Sequence, residues 1–413
     1  MNTMLRPDVY CVGGVDRTIR DIHGFDAPRG TTYNAYLVLD RSTVLIDAVK
    51  AGFAGELLEN VATVLAAAGP GRSRTLDYVV CNHAELDHSG ALPLVMRAFP
   101  EATLVCDKKC VAALARHFDT AAWKFHVVAE GDTLSLGDRT LRFIETPMVH
   151  WPESMFTFLP EEKILFSMDA FGQHAAGAAT FDDEASLEET IAEAKKYYAN
   201  IIMPFGKPVA ALLDKLGSEP IEIIAPSHGL IWRYHLSRII DAYRDWCVCR
   251  PKAKVLVLYD TMWDSTRQMA EAILSGATQP GIDARLIDLR TTSLTQVATE
   301  VFDAASVAVG TATLNRGPMP AVAAALNYLC GLRPAGKTAV AFGSYGWGGG
   351  ATDAVMESLR SMQWELLGEP IRSKYRPSSE ELDRCVTAGR QLAQSARRRS
   401  AAGREMLSAT VSD

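Results

Sequence analysis

Four potential metal ligands stand within six residues in the segment Cys81-Asn82-His83-Ala84-Glu85-Leu86-Asp87-His88-Ser89-Gly90. The apolar pair Val79-Val80 before it reads as the end of a strand, and Ser89-Gly90 as the opening of a helix. A loop at the C-terminal end of a strand is where α/β proteins place chemistry. Three more residues of the same kind lie far along the chain: His150 in Pro147-Met148-Val149-His150-Trp151, Asp169 after the apolar run Ile164–Met168, and His228 in Pro226-Ser227-His228-Gly229. Taken singly, each of these has an ordinary surface or capping role as its alternative. Together with the first segment they make four histidines and three carboxylates, enough for two metal ions that share one carboxylate. Carboxylate donors among imidazoles add negative charge and harder oxygen ligands, which favours iron over zinc. Paired irons in such a donor set suit O2 and NO chemistry, whereas zinc has no accessible redox change and suits hydrolysis.

A second constellation begins at Val255-Leu256-Val257-Leu258-Tyr259-Asp260, an apolar strand running into Thr261-Met262-Trp263-Asp264-Ser265-Thr266. A helix starting at Ser265 presents free N–H groups and the positive end of its dipole, and the hydroxyls add donors, so the turn is a candidate phosphate site. It lacks G-x-x-x-x-G-K-[ST] and G-x-G-x-x-G, which argues against a nucleoside triphosphate and a dinucleotide. Two more loops follow later strands: Gly310-Thr311-Ala312-Thr313-Leu314-Asn315-Arg316-Gly317-Pro318 and Gly343-Ser344-Tyr345-Gly346-Trp347-Gly348-Gly349-Gly350. Glycine lets backbone N–H groups approach a ligand ring, and Trp263, Tyr345 and Trp347 can pack against it.

The elements that must hold these groups divide the 413 residues into two regions. Residues 1–250 pair hairpin strands (around Asp40-Arg41-Ser42 and Pro160-Glu161-Glu162-Lys163) with intervening helices over Phe53–Ala68 and Leu187–Leu216. That mixture predicts two sheets in a layered αβ/βα sandwich. Residues 251–396 alternate short apolar strands with helices, which predicts a doubly wound parallel sheet. Residues 397–413, with Arg397-Arg398-Arg399, read as a solvated flexible tail. Lys and Arg number 42 against 49 Asp and Glu, a net charge of −7 that gives no reason to coat nucleic acid or an anionic membrane. No signal peptide and no bilayer-spanning apolar run is visible, and the eight cysteines form neither a disulfide framework nor paired C-x-x-C knuckles. A reducing cytoplasmic setting is the expectation.

The first constellation resembles the metallo-β-lactamase-like fold, whose hydrolases carry H-x-H-x-D-H, with Glu85 here in place of the second histidine. The second resembles flavodoxin, which binds FMN with three such loops. The two in series resemble the flavodiiron proteins (A-type flavoproteins), and the resemblance covers nearly the whole chain, including Gly30-Thr31-Thr32-Tyr33-Asn34-Ala35-Tyr36, Asp169-Ala170-Phe171-Gly172 and Tyr197-Tyr198-Ala199-Asn200. It implies one iron held by His83, Glu85 and His150, a second held by Asp87, His88 and His228, and Asp169 as the bridge. In this family the position of His88 is not always bound to metal. His23, His174, Tyr197 and Tyr198 are candidates for groups behind the ligands or lining the pocket, with core or surface roles as the alternative.

The resemblance also implies FMN on the three loops and a head-to-tail homodimer, with a dimer of dimers open. The substrates would be O2, NO or both. Reduction of O2 to two waters needs four electrons, which two ferrous ions and FMNH2 together supply; two NO need two electrons to give N2O and water. No appended rubredoxin motif is present, Cys247-Val248-Cys249 having the wrong spacing, so a separate donor is expected. Rubredoxin leads, and reduced deazaflavin is the other candidate. The chain departs from the family at Gly310-Thr311-Ala312-Thr313, where G-S-P-T is common, and at Gly346-Trp347-Gly348-Gly349-Gly350, where G-W-S-G-E is common. FMN binding should survive both. The competing readings are a dinuclear zinc hydrolase fused to a flavodoxin-like module, against which Glu85 argues, and a carrier protein with a vestigial metal site, against which the complete ligand set argues.

Overall fold

Alternation of side chains decides the layers of the first region. In Tyr36–Val38, Val44–Ile46, Tyr78–Val80 and Thr103–Asp107, one set of side chains (Tyr36, Val38, Val44, Ile46, Val80, Val105) enters a core shared with a second sheet. The alternate set (Leu37, Leu45, Val79, Leu104, Cys106) packs with buried residues of the helices Ala54–Ala66, Leu92–Ala98 and Lys108–His117. A period of two with both faces apolar is what a sheet covered on both sides requires. The computed structural model, which describes residues 2–410, thus has a sheet ordered Thr3–Arg6, Val9–Cys11, Tyr36–Val38, Val44–Ile46, Tyr78–Val80, Thr103–Asp107, Lys124–Val128. Its second sheet runs Thr133–Ser135, Thr140–Glu145, Met155–Leu159, Ile164–Met168, Ile223–Pro226. The hairpin pairs are antiparallel, and Ile223–Pro226 joins parallel to Ile164–Met168.

The later region is a parallel sheet ordered Asp283–Asp288, Lys252–Tyr259, Ala304–Leu314, Thr338–Tyr345, with Glu365–Leu366 and Ile371–Lys374 both pairing to Thr338–Tyr345. Val255, Val257, Ala308 and Val340 pack there with Met269 and Ile273 of the helix Ser265–Ala277 and with Cys385 and Leu392 of the last helix. These two helices meet backbone to backbone. A Cβ on Gly276 would lie 2.0 Å from the Val386 carbonyl oxygen, and one on Gly389 would lie 2.0 Å from that of Ile273. Gly389→Ala is therefore expected to push the helices apart and cost about 1–3 kcal/mol of this unit's stability. Denaturant unfolding followed by flavin release checks it; an unchanged midpoint contradicts the contact.

Three expectations are corrected. The chain divides into Met1–Tyr197 with Lys207–Arg244 and Tyr198–Gly206 with Asp245–Asp413, rather than at residue 250. Tyr198, Trp246 and Phe302 stack together at ring separations of 5.4, 5.5 and 6.5 Å, which draws those residues into the second unit. The helix expected over Leu187–Leu216 is broken into Leu187–Tyr197, a π-turn Tyr198–Ile202, a 3-10 turn Met203–Phe205 and Gly206–Leu216. Pro204 and Pro208 cannot donate to the ladder there. The tail expected to be solvated continues the helix Ser379–Thr410; Ala396 and Ser400 are buried, and Arg399 Nε donates to Thr338 Oγ1 at 2.7 Å. Small residues carry the helical period past the arginines, so the charges line one side only. Residues 411–413 lie outside the described residues. Among the described residues no helix is long and apolar enough to cross a membrane.

Candidate metal centre and flavin loops

The loop after Tyr78–Val80 is clamped from behind. Asn82 donates its backbone N–H to Asp47 Oδ1 at 2.7 Å and its Nδ2 to Asp47 Oδ2 at 2.9 Å, and accepts from Thr157 Oγ1 at 2.7 Å. His83 and Glu85, two apart in an extended stretch, face one way. Asp87 and His88 lie inside a one-turn helix, Leu86–Ser89, rather than before a helix beginning at Ser89, and that turn aims them at a second position. Ser89 Oγ donates back to the Ala84 carbonyl at 2.7 Å and locks the turn.

The distant residues close on the same place. The ligand atoms of His83, Glu85, His150 and Asp169 lie within 4.8 Å of one another, as do those of Asp87, His88 and His228. Asp169 faces both groups: Oδ2 is 3.4 Å from His83 Nε2 and 3.2 Å from His150 Nε2, while Oδ1 is 3.0 Å from His88 Nε2 and 3.4 Å from His228 Nε2. Glu85 Oε2 is 3.2 Å from His83 Nε2 and 3.3 Å from His150 Nε2. Asp87 Oδ2 is 3.2 Å from His228 Nε2. Two atoms each about 2.1 Å from one ion, at about 90–110° to each other, are separated by about 3.0–3.4 Å. The spacing is that of ligands around two common points. The directions agree: Asp87 Oδ1, His88 Nε2 and Asp169 Oδ2 are buried with no hydrogen-bond partner despite these short approaches. The residues fit a pair of metal ions, with mixed nitrogen and oxygen donors that suit iron.

Electrostatics follow from the packing of three carboxylates among four imidazoles. Burial alone would lower His150, but the neighbouring carboxylates of Asp169 and Glu85 outweigh it and raise its pKa to about 9. Burial opposes the charge on Glu85 too, yet His150 and His83 bring it down to about 2. Asp169 is likewise held well below the carboxylate range against its burial, chiefly by His88 and His150. A metal ion must displace the histidine protons. Metal uptake is therefore expected to release protons and to tighten from pH 6 to 8, measured by Mn2+ titration in buffers of different ionisation enthalpy. The metal-free protein should behave oppositely. A raised histidine pKa stabilises the fold below the unfolded value of about 6.5, and that stability fades as pH rises through about 9. Uptake that releases no protons contradicts this assignment of charge.

Of the groups expected behind the ligands, the placements differ. His174 is buried, its Nδ1 2.8 Å from Thr31 Oγ1 and its ring 4.9 Å from that of His228, and burial holds its pKa well below the usual histidine value. It offers no atom to either ligand group. His23 sits on an exposed hairpin tip, its Nε2 3.9 Å from Glu85 Oε1. Tyr198 stacks with Trp246 and Phe302; its neighbour Tyr197 instead donates its hydroxyl to Asp169 Oδ1 at 2.8 Å. Glu153, which sequence reading did not single out, accepts from His83 Nδ1 at 2.9 Å. The His228 Nδ1–H donates to the Thr32 carbonyl at 2.7 Å. Glu153 lies three residues after His150 in the same loop, but an acidic residue there has no spacing signature.

The three strands Lys252–Tyr259, Ala304–Leu314 and Thr338–Tyr345 are parallel, so their C-terminal ends share one edge. Thr266 Oγ1 and Ser344 Oγ meet at 2.9 Å and tie the first loop to the third. Thr261 Oγ1 is buried with no hydrogen-bond partner, a polar atom a ligand would satisfy. Trp263 and Trp347 are 86% and 94% exposed, their faces free for a flat ring. The second loop is shorter than expected. Thr311–Leu314 stay in the strand, Asn315 and Arg316 make a two-residue turn with φ of 50° and 68°, and Gly317–Pro318 return antiparallel to Thr313–Leu314. These features fit a phosphate-bearing flavin.

Comparison with known proteins agrees. Residues 31–229 match the family model described as ODP family beta lactamase, and residues 257–389 match the flavodoxin model. The chain is 43% identical over 390 residues to a nitric oxide reductase of Moorella thermoacetica, covering 93% of this chain and 96% of that one. Among solved structures, the flavodiiron protein of Giardia intestinalis superposes with a TM-score of 0.93 at 35% identity over 98% of both chains. The rubredoxin oxygen:oxidoreductase of Desulfovibrio gigas superposes at 0.92 and 36%, over 97% of this chain and 99% of that one. With both constellations in place and these likenesses spanning almost all of its length, the chain belongs to the flavodiiron proteins.

Proposed function

We propose that this protein is an oxidoreductase that passes electrons from an external donor, through FMN on the three loops, to a non-haem di-iron centre that reduces NO to N2O, O2 to water, or both. The observation that carries the reading is the single buried carboxylate of Asp169, with one oxygen turned to each group of ligands. His83, Glu85 and His150 would hold one iron, and Asp87, His88 and His228 the other. His88 is included because its buried Nε2 points into the cluster without a hydrogen-bond partner. When bound, the two irons and the flavin supply the electrons and the positions at which a diatomic gas is reduced. The chain's own part is to orient and exclude. Asn82 and Asp47 hold the ligand loop, Glu153 and Thr32 set the ring orientation of His83 and His228, and buried packing around His174 keeps bulk water from that side.

The Moorella relative is named for NO and the Desulfovibrio structure for oxygen and rubredoxin, which supports these two gases as substrates and rubredoxin as the donor. A head-to-tail homodimer acting in the cytoplasm completes the reading. Metal and flavin analysis with anaerobic stopped-flow tests it. About two irons and one FMN per chain, with reduced protein reoxidised by NO or O2, is the expected result. Zinc without iron, or no reoxidation by either gas, overturns it.

A further inference from the structure

The two groups of ligands are matched in charge: each has two histidines and one carboxylate of its own, and they share Asp169. What stands behind them is not matched. His83 donates Nδ1–H to the buried carboxylate of Glu153, whose Oε1 also accepts the Ala84 N–H at 3.2 Å. A carboxylate behind an imidazole raises the basicity of its other nitrogen and brings a full negative charge close to the metal position. On the other side, His228 donates to a neutral carbonyl, that of Thr32. Tyr197 adds a second bias. Its hydroxyl donates to Asp169 Oδ1, the oxygen turned to His88 and His228, while Oδ2, turned to His83 and His150, has no hydrogen-bond partner. A donor on Oδ1 leaves that oxygen less able to give electron density to a metal. Asp47, the other buried carboxylate nearby, is bonded to Asn82 and acts through space on both rings, more on His88 than on His83, so it partly offsets the bias, whereas Glu153 is hydrogen-bonded directly to His83 at 2.9 Å.

The direct hydrogen bonds of Glu153 and Tyr197 act in one direction. We propose that the outer partners make the two metal positions electronically unequal, with Glu153 and Tyr197 as the positioning residues. The iron held by His83, Glu85 and His150 gives up its electron first, and the iron held by Asp87, His88 and His228 keeps its electron longer. The proposal rests on the di-iron reading above. Each step removes one electron from one iron, from the ferrous to the ferric state, and in the test a ferricyanide titrant accepts it.

The test uses the full chain with FMN bound and iron reconstituted, reduced with dithionite and titrated back with ferricyanide. Mössbauer spectra follow the titration, because they report iron and not flavin. Wild type is expected to accumulate a majority of half-oxidised centres midway. E153Q keeps an oxygen acceptor for His83 but removes the charge, so it should raise the lower of the two iron potentials. Y197F removes the donor on Oδ1, so it should lower the upper one. Both shifts bring the steps together and reduce the half-oxidised population toward the purely statistical fraction, and the double variant reduces it furthest. An unchanged half-oxidised fraction in both variants, a wider separation in either, or shifts assigned to the opposite potentials overturns the proposal. Should E153Q fail to hold iron, Y197F decides alone. Wild-type protein that binds fewer than two irons fails at the loading step, before any titration, and overturns the di-iron reading together with the ordering.

Discussion

Asp169→Asn is expected to leave a folded protein that binds FMN but holds one iron or none, with NO and O2 consumption lowered by more than about 100-fold. Asn has nearly the shape of Asp, so the packing around it survives. What is lost is charge and one acceptor. Asp169 is the only residue among the described ligand groups with an atom near both halves, Oδ2 at 3.2 Å from His150 Nε2 and Oδ1 at 3.0 Å from His88 Nε2. An amide can turn an oxygen to one side alone, and it then turns an NH2 group to the other. Each iron would keep two histidines and a terminal carboxylate, which is why partial loading is the expected intermediate outcome. Iron and flavin analysis on the same sample separates this from unfolding: flavin retained with iron lost supports the bridge. Two irons retained with ordinary turnover would remove Asp169 from the centre.

Glu85→His carries the second large effect. It rebuilds the H-x-H-x-D-H pattern of zinc hydrolases on this scaffold. Glu85 lies with its Oε2 3.2 and 3.3 Å from His83 and His150, and their hydrogen bonds hold it ionised down to about pH 2 against the cost of burial. Imidazole in its place removes one negative charge and a hard oxygen donor from one position only. Zinc should then compete successfully there. Gas consumption should fall by about 100-fold, on the scale of lost metal-site interactions, and bound FMN should be unchanged. Competitive loading with equal iron and zinc, read by metal analysis, gives the preference directly. A variant that still selects two irons and consumes O2 at the wild-type rate would mean that Glu85 is not a ligand.

The sequence alone pointed to the fold class and to the seven side chains that the structure brings together, and the reasons are local. His83, Glu85, Asp87 and His88 are close in the chain, and His150, Asp169 and His228 each follow an apolar strand, so strand ends predicted where they would gather. Hairpin strands with intervening helices foretold a sandwich, and short apolar strands alternating with helices foretold a parallel sheet. What lay beyond that reach depended on contacts with no spacing signature. Only the tertiary structure decided that Glu153 rather than some other acid stands behind His83, because any of 49 acidic residues could have occupied that place. It decided between the adjacent tyrosines: a break in helical geometry after Tyr197 turns Tyr197 toward Asp169 and Tyr198 toward Trp246. It also carried the last helix through three arginines that read as solvent-bound, because small residues on the opposite side could pack. Ligands are chosen by chemistry, which residue type displays. The hydrogen bonds that tune them are chosen by distance, which residue type does not.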